Sequence, residues 1–69
     1  MKEKFIWSID KRKKIKIREI REHNIVWNKE HNTFDVTVFG FFGGGVVIYT
    51  NTNEMECRKF IDELTGERG

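Results

Sequence analysis

The sequence predicts an α+β fold, an antiparallel β-meander of four or five strands with one C-terminal amphipathic helix packed on one face. Apolar residues alternate with polar ones through much of residues 4–50, which is the pattern of half-buried strands. From Cys57 onward they recur at i, i+3, i+4 and i+7, which is the pattern of a helix. A length of 69 residues fits one small domain, residues 1–69, near the lower size limit for an independent core.

The first predicted element is a β-hairpin. Residues 4–9 alternate, the polar residues 10–13 form a turn, and residues 14–17 alternate again. One side of the first strand is apolar and consists of Phe5, Trp7 and Ile9. On the second strand, the side opposite the isoleucines is basic and consists of Lys14, Lys16 and Arg18.

The middle of the chain is predicted to form two further strands. Residues 18–24 fit neither a period of two nor one of 3.6. A bulged continuation of the strand is therefore favoured, with a single helical turn as the alternative. Residues 24–28 are a predicted strand, residues 29–32 a turn, and residues 33–42 the strongest strand pattern in the chain.

Three consecutive glycines follow that strand. Gly43 to Gly45 are predicted to form a three-residue hairpin loop, which would pair Phe42 with Val46 and Val38 with Thr50. This register sorts the side chains into an aliphatic face and an aromatic face. The aliphatic face consists of Val36, Val38, Phe42, Val46 and Ile48. The aromatic face consists of Asp35, Thr37, Phe39, Phe41, Val47 and Tyr49.

The C-terminal helix is predicted over residues 54–65. Asn53 and Glu56 have the spacing of an N-terminal capping box. The apolar stripe consists of Cys57, Phe60, Ile61 and Leu64. One short helix covers only one face of the sheet, so the other face is predicted to be a subunit or partner interface. The predicted interface residues are Phe39, Phe41, Val47, Tyr49, Trp7 and Trp27, with core positions as the alternative for the two tryptophans.

The glycine segment matches neither of two common phosphate-binding motifs. A P-loop requires a lysine and then Ser or Thr after its glycines, and Ile48 occupies the place of the third glycine in the dinucleotide fingerprint. A plain hairpin turn is the preferred interpretation. The alternative is a ligand contact through the backbone N–H groups of the loop. Its residues would be Gly43, Gly44 and Gly45.

Charge is distributed unevenly along the chain. The net charge is +2, but residues 1–29 carry +6 and residues 30–69 carry −4. Six basic side chains are concentrated in one stretch near Trp7. They are Lys11, Arg12, Lys13, Lys14, Lys16 and Arg18. The preferred interpretation is a solvated face that protects an edge strand; the alternative is a surface that binds nucleic acid, a small anionic ligand or an acidic protein.

The sequence contains no recognisable constellation of catalytic or metal-binding residues. His23, His31 and Cys57 lack the paired spacing of zinc ligands, and Cys57 is predicted to be a small core residue. Asp35 has no visible partner in the sequence, and Ser8 has no evident base. We therefore expect no enzymatic activity, no metal and no cofactor.

Location and origin are predicted from composition. The N-terminal segment lacks the features of a secretory signal, no stretch approaches the length of a membrane span, and the chain has one cysteine. A cytoplasmic location without membrane association is therefore predicted. The lack of alanine and proline, with abundant Lys, Ile, Asn and Phe, is typical of an AT-rich coding sequence from low-GC bacteria or their phages.

The predicted function is that of a non-enzymatic small binding module. In this hypothesis it is a homo-oligomeric inhibitor or sequestering protein, encoded by a phage or mobile element, that binds a host protein or an anionic nucleotide-like ligand. A first alternative is a small nucleic-acid-binding or transcription accessory protein that uses the basic hairpin of residues 11–18. A second alternative is a structural subunit of a larger complex.

Overall fold

The computed structural model describes residues 4–41 and 43–66 and confirms the α+β fold with a C-terminal helix. In this part of the chain, five strands form two antiparallel sheets rather than one meander. One sheet pairs β1 with β2, and the other has the order β3-β4-β5. The elements are β1 (Phe5–Trp7), β2 (Lys14–Lys16), a 3-10 turn (Ile17–Glu19), β3 (Ile20–Asn28), β4 (Thr33–Gly40), β5 (Gly43–Asn51) and α1 (Glu54–Gly66).

The segment between β2 and β3 contains both features that the sequence left as alternatives. A 3-10 turn spans Ile17–Glu19, and a register shift in the pairing of β3 with β4 lies between Ile20 and Glu22. A 3-10 helix has three residues per turn, so Ile17 and Ile20 lie on the same side, and both are buried. The need to bury two isoleucines three residues apart explains why neither simple period fits here.

The turn of the β4–β5 hairpin is not where the sequence predicted it. Gly40 pairs with Gly43, so β4 ends before the glycine run and the three glycines belong to β5. Val38 consequently pairs with Val46, not with Thr50. The predicted partner of Val46, Phe42, lies outside the described residues.

Two of the three glycines have specific roles in the strand. Gly43 has a φ of 99°, a conformation that side chains rarely adopt, directly after the connection. A Cβ atom on Gly45 would lie 2.7 Å from Cε1 of Phe39 and 2.8 Å from Cγ2 of Thr37. The glycine run is thus used to leave the turn and to let Phe39 pack across β5, which explains the failure of the three-residue loop prediction.

The predicted aliphatic face of the β4–β5 hairpin is confirmed at its described positions. These are Val36, Val38, Val46 and Ile48, all buried. Side chains of α1 and of the N-terminal part of the chain pack against this face. The residues that complete the core are Ile15, Ile17, Ile20, Cys57, Ile61 and Leu64. The sheet is therefore covered by the β1–β2 hairpin as well as by the helix, whereas the sequence predicted the helix alone.

A bulge in β5 moves Tyr49 to the helix side. Val36 pairs with Tyr49 and Thr37 with Val47, so Ile48 is the extra residue. Ile48 is buried, and the Tyr49 ring stacks on the Phe60 ring at a centroid distance of 4.3 Å and an angle of 6°. The prediction that Tyr49 belongs to the open aromatic face is therefore wrong. The extra residue Ile48 shifts the alternation of side chains between the two faces of β5, so that Tyr49 lies on the helix side.

The predicted helix is confirmed, with α1 extending one residue further than expected. Asn53 caps it, because its Oδ1 atom accepts a hydrogen bond of 2.8 Å from the Met55 backbone N–H. Asn51 in turn accepts a hydrogen bond of 2.9 Å from the Asn53 backbone N–H. The two asparagines thus fix the direction in which the chain leaves β5 and begins the helix.

Candidate anion-binding surface

The β1–β2 hairpin has an inner apolar side and an outer basic and aromatic side. Ile6 pairs with Ile15 and both contribute to the core, whereas Phe5 pairs with Lys16 and Trp7 pairs with Lys14. The aromatic side chains are left 42% and 46% exposed, respectively. We call the outer side the lysine–aromatic face; its members are Phe5, Trp7, Lys14 and Lys16. The sequence predicted both groups, but not that they share one face.

The Lys14 ammonium group lies over both rings of this face. Its Nζ atom is 4.4 Å from the centroid of the Phe5 ring and 5.9 Å from that of the Trp7 ring. Cation–π contacts at exposed sites contribute about 0.5–1 kcal/mol each. They hold the positive charge against two rings that both remain partly exposed.

The tip of the hairpin is organised by a buried serine. The Ser8 hydroxyl accepts hydrogen bonds from the backbone N–H groups of Arg12 (3.2 Å) and Lys13 (3.0 Å) and donates one of 2.5 Å to Asp10. Asp10 also accepts a hydrogen bond of 3.0 Å from the Arg12 N–H. The Ser8 hydroxyl, followed by the Arg12 N–H, lowers the pKa of the Asp10 carboxyl.

The sequence did not reveal this role of Ser8. Ser8 is two residues before Asp10 and four before Arg12, a spacing that lets a hydroxyl serve the backbone of its own turn. Lys11 has a φ of 63°, a left-handed conformation within the same turn. The turn is therefore held in one shape, with the exposed side chains of Lys11, Arg12 and Lys13 around it.

The hairpin tip and β5 form a cleft. The Ile9 N–H donates a hydrogen bond of 2.9 Å to the Val47 carbonyl, which attaches the tip to the outer edge of β5. The cleft has a volume of about 360 Å³ and is lined by Asp10, Arg12 and Lys13 from the tip and by Gly45 from β5, among other residues. Two sets of residues that the sequence predicted separately, the basic stretch and the glycine segment, meet at this place. Gly43 and Gly44 precede the cleft on β5.

The six predicted anion-binding residues are therefore divided among three places. Lys11, Arg12 and Lys13 belong to the tip, and Lys14 and Lys16 belong to the lysine–aromatic face. The sixth, Arg18, is exposed on the 3-10 turn. Lys14 and Lys16 are the two that share a face with exposed aromatic rings.

The predicted open aromatic face is not one continuous patch. Phe39 is half-buried across Gly45, and Val47 is half-buried beside the cleft. Phe41 is 73% exposed after the end of β4, where the Arg21 guanidinium lies 4.3 Å from the centroid of its ring.

Trp27 lies elsewhere, on β3. It is 49% exposed, and its ring packs against that of Phe34 at a centroid distance of 4.8 Å and an angle of 59°. Both tryptophans are therefore half-exposed, and neither occupies the core position that the sequence left as an alternative.

Asp35 has partners that the sequence did not reveal. Its carboxylate accepts hydrogen bonds from Asn28 Nδ2 (2.9 Å) and Thr33 Oγ1 (3.0 Å), and Asn28 also contacts His31 Nδ1 at 3.3 Å. These groups join the ends of β3 and β4 across their turn. These contacts give Asp35 a structural role in holding the turn.

The cysteine is in the core, as predicted. Cys57 is fully buried, and its thiol donates a hydrogen bond of 3.4 Å to the Phe34 carbonyl. Burial, together with the negative charge of Asp35, raises the pKa of this thiol. Because the thiolate is the reactive form, these surroundings disfavour nucleophilic chemistry at Cys57.

Within residues 4–41 and 43–66, no three side chains of His, Cys, Asp or Glu come together in a group that could hold a metal ion. No helix in that part of the chain is both long enough and apolar enough to span a membrane. Comparison of the chain with protein-family models, with curated proteins and with solved structures gives no match.

Proposed function

We propose that the protein is a non-enzymatic binding module whose N-terminal hairpin binds single-stranded nucleic acid on the lysine–aromatic face. The observation that supports this proposal is the placement of two half-exposed rings, Phe5 and Trp7, beside Lys14 and Lys16 on one side of a two-stranded sheet. This combines a stacking surface with cations, the two elements that sequence-tolerant binding of single strands requires.

The geometry favours single strands over a duplex. The flat faces of the bases are accessible in a single strand, whereas in a duplex they are covered by their neighbours. Phe5 and Trp7 are two residues apart on one strand, so their side chains project from backbone positions about 7 Å apart. Each ring accepts one base, and the lysines between and beside the rings neutralise phosphates.

The lysines and the rings are expected to contribute in different ways. Stacking contributes about 1–3 kcal/mol per base and depends weakly on salt. Lysine–phosphate contacts release counterions, so their contribution falls as the salt concentration rises. Affinity for a single strand should therefore fall with salt but retain a component that comes from the rings.

The test is fluorescence anisotropy with a short labelled oligothymidine at low salt. Trp7→Ala is expected to weaken binding about tenfold, which corresponds to the loss of about one stacked base. Lys14→Ala with Lys16→Ala is expected to weaken binding and to reduce its salt dependence.

Matched controls lie away from the hairpin. Phe41→Ala removes an even more exposed ring, and Lys29→Ala with Lys59→Ala removes two exposed lysines from the β3–β4 turn and α1. These variants should bind like the wild type. Absence of binding at low salt, or an equal loss in the controls, would reject the proposal.

A second candidate function rests on the cleft at the hairpin tip. In this proposal the protein sequesters a small nucleotide-like anion, with Arg12 and Lys13 facing its phosphate. A cleft of about 360 Å³ is within the range of small-molecule sites. Native mass spectrometry of untreated protein tests it, since an adduct that is lost in Arg12→Ala would support sequestration. The inhibitor role and the phage origin stay predictions.

A further inference from the structure

The outer edge of β3 is the most unusual surface of the sheet. β3 spans nine residues and pairs on one side with β4. No other strand pairs with it in the described part of the chain. A strand of this length at an edge presents a row of backbone N–H and C=O groups that are able to pair with another chain.

The second part of this edge lacks the usual protection. Natural edge strands are commonly guarded by charged side chains, proline or bulges. In β3 the charged side chains Arg21 and Glu22 and the register shift all lie at its beginning, and residues 23–28 contain no Lys, Arg, Asp, Glu or Pro. By contrast, the tip of the hairpin attaches to the opposite edge of the sheet through the Ile9–Val47 hydrogen bond, and that tip carries three basic side chains. The β5 edge of the sheet is therefore contacted by the basic hairpin tip, whereas the β3 edge has no strand beside it in the described part of the chain.

The side chains of β3 divide into a charged half and an apolar half. Arg21 and Glu22 lie near its beginning, and both are exposed. Val26 and Trp27 lie near its end and are 51% and 49% exposed. Half-exposed apolar residues beside unpaired backbone are a combination that pairing with another strand would cover.

We propose that a second copy of this chain pairs with the β3 edge in antiparallel orientation, about a two-fold axis at Asn24. The result is a six-stranded sheet with the order β5-β4-β3-β3-β4-β5. Both helices lie on the same face of that sheet, and the two β1–β2 hairpins lie at its outer ends.

The distribution of charge along β3 fits a second copy in the antiparallel orientation. Pairing about Asn24 sets Arg21 of one copy opposite Trp27 of the other and Glu22 opposite Val26, so that no like charges meet within the strand. Parallel pairing would place Arg21 against Arg21 and Glu22 against Glu22, which is unfavourable. A two-fold interface brings the same surface of both copies together, and this arrangement of charges allows it.

A groove beside the edge lies on the side of the sheet to which Trp27 projects. It lies between β3 and α1 and has a volume of about 350 Å³. Two isoleucines, Ile25 and Ile61, line it together with the polar side chains of His23, Asn24, Glu54, Arg58 and Asp62. Trp27 shares the helix side of the sheet with His23 and Ile25, because residues alternate between the two faces. In the antiparallel pair, the Trp27 of one copy therefore projects on the side of the groove of the other.

Stability provides a further reason for pairing. A domain of this size with one cysteine cannot form an internal disulfide, and small domains commonly gain stability through oligomerisation. This proposal is independent of nucleic-acid binding, since it involves no residue of the lysine–aromatic face.

The test is light scattering coupled to size-exclusion chromatography over a range of concentrations. The wild type is expected to have twice the 8.3 kDa mass of the chain. Val26→Lys adds an edge-guarding charge at an exposed position and is expected to give a monomer with unchanged far-UV circular dichroism. Met55→Lys adds the same charge at an exposed position of α1 and should remain a dimer.

Hydrogen exchange provides a second measurement that needs no variant. Pairing predicts that outward-pointing amides of β3 lose protection when the wild type is diluted, while amides of β4 do not. A wild type that is monomeric at high concentration, a dimer that survives Val26→Lys, or protection in β3 that is independent of concentration would overturn the proposal.

Discussion

The two hairpins of this molecule are built in opposite ways. The β4–β5 hairpin turns its aliphatic side chains into the core and uses Gly45 to accommodate Phe39. The β1–β2 hairpin packs the buried Ile15 and the partly buried Ile6 against the core and leaves its large aromatic rings about half exposed. One hairpin thus supplies much of the packing of the domain, and the other keeps its largest side chains available to a ligand.

This difference shows how a small domain can combine a packed core with large exposed side chains. Large side chains such as Trp7 would contribute most to a core if they were buried. Their exposure leaves the core to branched aliphatic residues from β4, β5 and α1. We infer that exposed rings on a short hairpin are retained for binding, because packing alone would place them inside.

The largest expected effect separates the two hairpins by their contribution to stability. Ile48→Ala, in the buried face of β5, is expected to lower the free energy of unfolding by about 2–5 kcal/mol. Trp7→Ala, on the exposed face of β1, is expected to cost less, about 1 kcal/mol, because it removes one cation–π contact and the packing of a half-exposed ring. Urea unfolding followed by circular dichroism measures both. The comparison fails if the two variants lose similar stability.

A smaller effect is expected within β5 itself. Gly45→Ala places a methyl group against the Phe39 ring and the Thr37 methyl group, and should cost about 1–3 kcal/mol. Gly44→Ala is the matched control, because nothing lies within 4 Å of its Cβ position. Thermal unfolding of the two variants distinguishes them. Equal melting temperatures would show that the ring of Phe39 moves aside without cost.

The smallest effect is expected at the tip of the first hairpin. Ser8→Ala leaves the Arg12 and Lys13 N–H groups without the hydroxyl and should cost about 1–2 kcal/mol at neutral pH. The pKa of Asp10 is lowered in the folded state, so its contribution is present above its ordinary pKa of 3.8 and is lost as pH falls through the lowered value.

The difference between Ser8→Ala and the wild type should therefore shrink in acid. Thr65→Ala is the control, because the Thr65 hydroxyl donates to the Ile61 carbonyl within α1 and involves no carboxylate. Its effect on stability should stay constant with pH. If the effect of Ser8→Ala on stability is also constant to well below pH 3.8, the contribution of Ser8 does not depend on the ionised Asp10 carboxylate.

The parts of the fold that depend on local periodicity could be predicted from the sequence. The stripe from Cys57 to Leu64 and the alternation of Val36 and Val38 are set by geometry within one element. The helix start could be predicted too, because Asn53 acts on backbone groups only two residues away.

The errors arose where contacts distant in sequence decide the local structure. The bulge at Ile48 redirects Tyr49 toward Phe60, a residue on another element. The glycine run looked like a loop because the need for space at Gly45 comes from Phe39 on the neighbouring strand. Alternation alone does not say which side of a hairpin faces inward, so the exposure of Phe5 and Trp7 required the whole structure.

The two tryptophans lie on two different surfaces, which has a spectroscopic consequence. Trp7 is on the lysine–aromatic face and Trp27 is on the β3 edge, and each is about half exposed. Replacing either one with phenylalanine leaves a chain with a single indole emitter. The emission of Trp7 would then follow a bound nucleic acid, and that of Trp27 would follow the approach of a second copy, so that the protein carries a separate optical reporter for each event.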